Sequence, residues 1–335
     1  MAARHKPSGP LPGRSTCSRR YAAWMPSRPF RFGVQVSRAS SASAWRDLAR
    51  KVEDLGYSSL LMPDHLDEQW SPLVSLAVAA EATSKLRVGT LVLGNDYRHP
   101  VVAARELATL DLFAEGRLEA GVGAGWMVSD YESSGIALDP PGTRVDRLAE
   151  SVRVMKDLWR DGRCDYLGRH YEVRGATGYP LPHRRPGPLL VIGGGSRRVL
   201  SLAAREADIV GVNPSLRAGV IGPEAIASAV AGEYDERVRW VREAAGERFG
   251  EIELQCLTFF VHVGEGADDV VAKLAPAFGM SPEEAATVPL ALAGTVSELA
   301  DVLRARRERW GFSYWVLHEG EMEAFAPVVA LLAGT

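Results

Sequence analysis

Cysteine is scarce in this 335-residue chain: Cys17, Cys164 and Cys256 are odd in number and far apart. No C-x-x-C pair or His-rich spacing accompanies them, which argues against a disulfide framework or structural zinc and suits a cytoplasmic protein. Long apolar runs are missing too. A membrane span needs roughly 18 to 20 consecutive apolar residues, and here Gly or a charge always intervenes sooner. Nor does one sign of charge prevail. With 39 Lys and Arg against 42 Asp and Glu, the net charge of −3 leaves no basic footprint for nucleic acid. The motifs H-E-x-x-H and G-x-S-x-G do not occur, which makes hydrolysis a remote reading and gives no reason to expect a metal.

What is present begins with a contrast. Residues 1–29 hold six basic residues and no acid, among Pro, Ser and Gly. Such a segment cannot bury enough surface to order itself, so a disordered tail is expected. It has no apolar stretch of the kind a secretory signal carries, and Met25, just ahead of the first strand, is an alternative start.

From Phe30 onward, short β-rich runs alternate with segments of helical apolar spacing. The expected strands are Arg31–Val36, Ser58–Met62, Leu86–Leu93, Arg117–Val122, Leu189–Ile192, Ile209–Val212, Ile252–Val263 and Ser313–Leu317. Helices are expected at Ala42–Leu55, Leu73–Thr83, Val101–Phe113, Arg144–Trp159, Arg197–Glu206, within Pro223–Phe249, and at Ala267–Phe278, Ser297–Trp310 and Met322–Leu332. An irregular stretch precedes Arg144, and a turn-rich insertion with a hairpin occupies 161–188. Eight βα units are the number that lets a parallel sheet close into a TIM barrel, and one domain over 30–335 is expected. An open doubly wound sheet is the alternative.

In such a barrel the chemistry sits at the C-terminal strand ends. Gly193-Gly194-Gly195-Ser196-Arg197-Arg198 joins a strand to a helix, where free N–H groups and the positive helix end favour an anion such as phosphate. A flexible turn with an ordinary cap is the competing reading. The run Gly121 to Trp126 fails as a dinucleotide fingerprint because Trp126 holds the place of the third glycine; its glycines instead leave room for a flat ring. Asp64-His65 pairs a carboxylate that can orient with an imidazole that can move a proton. His318 ends the last strand, where capping the next helix is as natural as touching substrate. His99, His170 and His183 read as surface residues.

Several runs together resemble the luciferase-like superfamily, and within it the actinobacterial branch that uses the deazaflavin coenzyme F420. They are FGVQVS (32–37), EDLGYSSLLMPDHL (53–66), LRVGTLVLGNDYRHP (86–100), RLEAGVGAGW (117–126), RVDRLAESVRVMKDLW (144–159) and VIGGGSRRVLSLAAREADIVG (191–211). The resemblance covers about 30–335. It implies an eight-stranded barrel with insertions and a ring contacted by Asp64, His65, Leu91, Val92, Asn95 and Gly123-Ala124-Gly125. It also implies a cis peptide at Leu91-Val92 and a phosphate on Gly193 to Arg197. His65 is the expected catalytic residue. Trp126 stands where sugar-phosphate dehydrogenases of the superfamily carry a glutamate acid, which points away from sugar phosphates. Asp130 or Glu132 could replace that acid, and Trp126, Asp130 and His318 could touch substrate. Arg197, Arg198, Arg98 and Arg184 are candidates for a basic rim around the coenzyme tail. The activity implied is hydride transfer between F420 and a small organic molecule, reducing a C=C or C=N bond or oxidising an alcohol. FMN with monooxygenation is the alternative, and a cofactor-free binding protein the outside one. A homodimer built through helices near the second and third strands is also implied.

Overall fold

The computed structural model describes residues 28–335; most of the basic segment, with Cys17 and Met25, lies outside the described residues.

The first half of the chain repeats one unit. Strand β1 (Arg31–Gln35) leads into α1 (Ala42–Asp54), β2 (Ser59–Met62) into α2 (Pro72–Ala82), and β3 (Arg87–Thr90) with its short continuation β4 (Leu93–Gly94) into α3 (Pro100–Phe113). Each helix start has a local cause. Ser41 Oγ accepts from Ala44 N–H at 3.1 Å, and α2 and α3 begin at Pro72 and Pro100, where the missing N–H is no loss.

Strand β5 (Leu118–Gly123), buried along its whole length, is followed by α4 (Val128–Ser134) and the long α5 (Pro141–Asp161). An antiparallel hairpin, β6 (Arg163–Leu167) and β7 (Glu172–Thr177), lies outside the main sheet. The second half runs β8 (Leu189–Gly194), α6 (Arg197–Glu206), β9 (Ile209–Val212), α7 (Pro223–Ala227), α8 (Ala231–Ala245) and β10 (Glu253–Leu257). It ends with β11 (Phe260–Val263), α9 (Ala267–Leu274), α10 (Pro282–Thr287), β12 (Ala291–Gly294), α11 (Val296–Trp310), β13 (Phe312–His318) and α12 (Met322–Leu332).

Parallel pairing runs β3-β2-β1-β13-β10-β9-β8-β5, and β5 pairs back to β3. Eight strands therefore close into a (βα)8 barrel. Leu61, Val191, Ile209, Tyr314 and Val316 fill its interior, with Leu91, Leu189 and Leu257 packed against them. The outer core lies between strands and helices and includes Trp45, Phe325 and Trp159. At the N-terminal end a buried polar plug replaces apolar filling. Arg31 reaches Glu119 and Glu253, Arg87 binds Glu119 at 2.8 Å, and Tyr314 donates to Glu119 at 2.9 Å.

Three expectations change. The strand expected over 252–263 divides. Thr258 N–H still donates to Val316 O of the barrel, but Phe259 and Phe260 N–H both turn to Leu290 O. The segment beyond them, β11, then pairs with β12 in a separate two-stranded parallel sheet. All twelve residues suit a strand, so periodicity could not reveal that they change partners. The strand expected over 86–93 breaks at Leu91-Val92, where the peptide bond is cis, as the resemblance implied. The irregular stretch before Arg144 contains α4.

Candidate functional site

The mouth of the barrel is built from the strand ends. Beyond β2, Asp64 is buried and accepts from Gly94 N–H at 3.0 Å, while the Arg98 guanidinium spans both its oxygens at 2.6 and 3.2 Å. The carboxylate thus ties the β2 end to the β4 turn. Arg98 is engaged on Asp64 and is not a free rim cation.

The next residue, His65, lies at the edge of the mouth with 19% of its side chain exposed. Its Nδ1 meets Asp130 Oδ2 at 2.7 Å, and Leu66 N–H donates to Asp130 Oδ1 at 3.0 Å. Tyr97 OH gives a further donor to the same carboxylate at 3.1 Å. Burial, and then the charge of Asp130, push the Tyr97 hydroxyl well up, so it remains a neutral donor. With Nδ1 engaged on the carboxylate, the ring is fixed in the tautomer and orientation that leave Nε2 as its working nitrogen; no hydrogen-bond partner for Nε2 occurs among the described residues. Trp126 packs edge-on to the ring, centroids 5.5 Å apart.

The floor is a close contact of two backbones. A Cβ on Gly121 would fall 1.9 Å from Thr90 O, so only glycine lets β5 pass the end of β3. Gly123, Ala124 and Gly125 follow, and Val92 lies where a Cβ on Gly123 would go. Gln35, at the end of β1, donates to Leu91 O at 3.3 Å. Arg144 from α5 holds Gly125 O at 2.6 Å. Asn95 is buried, its amide donating to Tyr171 OH of the hairpin at 3.2 Å.

Next around the ring, on the strand paired with β5, Gly193 and Gly194 end β8, and Gly195 joins them to Ser196, the N-cap of α6. A Cβ on Gly195 would lie 2.1 Å from Pro214 O, so the loop packs directly against the one after β9. Leu200 N–H is bonded to Ser196 O, which places the N–H groups of Arg197 and Arg198 in the open first turn. Buried Arg237 anchors the loop from behind, its Nε on Gly195 O at 3.1 Å and Nη1 on Ser228 O at 2.8 Å. The Arg198 side chain is paired with Asp146, and that of Arg197 is 68% exposed, 3.6 Å from Glu243.

Residues 27–334 match the family described as luciferase-like monooxygenase. The chain belongs to that family. Its curated relatives include the F420-dependent glucose-6-phosphate dehydrogenase of Kineococcus radiotolerans, 33% identical over 178 residues, 50% of this chain and 52% of the relative. Another is the FMNH(2)-dependent dimethylsulfone monooxygenase of Pseudomonas putida, 29% identical over 56% of this chain and 54% of the relative. The chain matches about half the length of these curated relatives. Among solved structures, the coenzyme F420-dependent tetrahydromethanopterin reductase of Methanopyrus kandleri superimposes with a TM-score of 0.71 at 19% identity, over 90% of this chain and 97% of that one. An F420-dependent secondary alcohol dehydrogenase gives 0.72 at 18%, over 91% and 99%. At these identities the likeness establishes the fold.

Within this luciferase-like barrel the expected site residues fall into two groups at one mouth. Asp64, His65, Leu91, Val92, Asn95, Gly123 to Trp126 and Asp130 form one group, and Gly193 to Arg197, beyond the neighbouring strand β8, the second. His318 pairs in register with Gln35 and its N–H is bonded to Glu321 at 2.9 Å, so its backbone begins the turn into α12. Glu132 is exposed on α4. Arg184 lies at the opposite end of the barrel, where its N–H donates to Asp111 before β5 begins, which removes it from the rim. His170 is half-buried and not a plain surface residue. Sequence reasoning missed Gln35, Tyr97 and Arg237. Gln35 had a signal, as a polar residue in an apolar strand; Arg237 lies 42 residues from the loop it anchors and had none.

Among the described residues no cluster of three or more His, Cys, Asp or Glu could hold a metal, and no helix is long and apolar enough to cross a membrane.

Proposed function

We propose that this chain is an oxidoreductase that uses F420, transferring hydride between the deazaflavin and a small organic substrate bound against His65. The observation that carries the reading is the His65–Asp130 pair at 2.7 Å, which fixes an imidazole at the mouth of a luciferase-like barrel. Relatives that are themselves F420-dependent support the choice of coenzyme.

The residues suit such a group. The N–H groups of Arg197 and Arg198, in the first turn of α6 after the glycine loop, are open for phosphate, with the buried Arg237 cation behind the loop adding to the field. Leu91, Val92, Asn95 and Gly123 to Gly125 would border the ring, and Asp64 would hold the two strand ends that frame it. When bound, the deazaflavin supplies a hydride donor or acceptor at C5. The chain's own contribution is placement and proton management. His65 Nε2 would donate to, or accept from, the substrate heteroatom, while Asp130 stabilises the imidazolium whenever the ring holds both protons. Trp126 would close the pocket beside the ring. A carboxylic acid has no place at that position, so turnover of an apolar alcohol, or reduction of an activated C=C or C=N bond, suits the site better than oxidation of a sugar phosphate.

Titration with F420 should change the coenzyme's fluorescence saturably. His65→Ala should lower kcat by about 10²- to 10⁴-fold, the usual worth of a positioned acid or base, with a much smaller change in coenzyme affinity. Binding of FMN alone, with oxygen-dependent turnover, would replace the reading by the FMN monooxygenase one, which the Pseudomonas putida relative supports. A homodimer belongs to the same reading, since α2 and α3 leave Val74, Val102 and Phe113 exposed.

A further inference from the structure

A cavity lies at the same end of the barrel, outside the ring of strands. It encloses about 100 Å³. Its wall comes from the segments after β9 and β10, and includes Ile221, Phe259, Phe260, Met280, Ala285 and Leu290. Among the described residues no charged side chain lines it. Two of its largest residues are not sealed in the core, Ile221 being 58% and Phe259 39% exposed. Apolar side chains left open at the edge of a concave apolar space mark a place that takes a ligand.

The cavity adjoins the His65 wall through one short loop. Val128 N–H, two residues past Trp126, donates to Gly219 O at 3.1 Å. A Cβ on Gly219 would press on the Val128 side chain at 2.3 Å and lie 3.2 Å from Trp126 O. Ile221 is only two residues, about 7 Å of chain, further along, and already lines the cavity. On the barrel side, Leu257 packs on the interior cluster, and Phe259, two residues later, lines the cavity too. Two chain segments, 219–221 and 257–259, thus join the mouth to the wall of this apolar space.

We infer that this cavity is the subsite for a hydrocarbon arm of the substrate, whose functional group is held at His65. The inference rests on the proposed oxidoreductase reading and narrows its substrate class to alcohols, ketones or unsaturated compounds bearing an aliphatic chain. Size sets the scale. A dry apolar cavity of about 150 Å³ takes benzene, so the space here suits a linear or branched group of about four carbons. A hexose phosphate would leave its hydroxyls and phosphate without partners on this wall.

The test uses the full chain and straight-chain alkan-2-ols of four to ten carbons, with binding followed by saturation-transfer NMR. Affinity should rise about fourfold for each added methylene and then level off. Ala285→Phe, which fills the cavity from half-buried α10, should flatten the rise; Met280→Ala, which enlarges it, should delay the plateau by one or two carbons. Circular dichroism checks that both variants fold, and either alone decides if the other does not. Affinity independent of chain length, or a rise that neither variant alters, overturns the subsite. F420 fluorescence titration is run in parallel on the same samples. Coenzyme binding with a flat series removes the subsite alone, whereas an intact series without F420 binding removes the F420 reading and leaves the apolar subsite standing.

Discussion

His65 could be singled out from sequence because it comes just after a buried strand, and a barrel of this kind gathers its chemistry in the loops beyond the C-terminal strand ends. Its partner was harder to assign. By its place in the sequence Asp130 suits a replacement acid, yet α4 turns it inward, where it is only 2% exposed and accepts from His65, Leu66 and Tyr97. A carboxylate held by three donors is placed to orient the imidazole. Asp130→Asn should therefore lower kcat by about 10²- to 10⁴-fold, the upper figure being the loss when the carboxylate that orients a catalytic imidazole becomes an amide. KM should change little, and Asp130→Glu should recover part of the rate. Steady-state kinetics checks this: a fall confined to KM would place Asp130 in substrate binding. Reading α4 from sequence was difficult because its seven residues, VSDYESS, hold few good helix formers, and the helix is held by Tyr131 on Asp96 and by the chain packed around it.

Among the elements, those with strong end signals were legible and those defined by long-range pairing were not. Gly311, in the left-handed conformation, ends α11 where expected. Helix α10 carried a readable start, Ser281 and Glu284 three residues apart forming a capping box, but the surrounding loop lacked periodicity. The departure of β11 from the barrel depends on Leu290, some thirty residues away. Helix-to-loop ties are equally silent in sequence. Glu53, near the end of α1, accepts from the N–H groups of Ser84, Lys85 and Leu86 and so holds the turn that leads into β3. Burial lifts this carboxyl, but those backbone donors outweigh it and hold Glu53 below its ordinary 4.5. A carboxyl lowered in the folded state stabilises above its unfolded pKa, and that contribution is lost as pH falls through the folded one. Glu53→Gln should cost about 1 to 2 kcal/mol at neutral pH, and the difference should shrink near pH 3. Thermal melts of both proteins at the two pH values measure it; an equal difference at both would show that the charge is immaterial.

At the scale of the molecule, barrel closure was legible because eight βα units could be counted, whereas the plug at the barrel's N-terminal end was not. Arg31, Arg87, Glu119 and Glu253 come from four different strands and meet only when the sheet closes. Removing one partner from a buried ionic cluster costs about 3 to 5 kcal/mol, because the charges left behind stay desolvated. Glu119→Ala should lose stability in that range by denaturant unfolding, and a change below about 1 kcal/mol would mean that water enters the plug. The outer surface supplies the last expectation. Helix α2, PLVSLAVAAEA, is apolar on nearly every side, a pattern that belongs to a helix covered all round. One face packs on β2, β3 and the neighbouring helices. On the other, Val74 is 68% exposed, and Val102, in the first turn of adjacent α3, is 49% exposed. Both helices start at the mouth end, so the two valines crown the same side of the barrel. Burying them against a second copy would explain a composition that one barrel alone does not. Light scattering on the eluting protein should then give twice the chain's 36.3 kDa. Val74→Glu, which places a charge in the centre of that face, should give the single-chain mass with the circular dichroism spectrum retained. A wild-type protein that elutes at the mass of one chain at high concentration would leave α2 apolar for another reason.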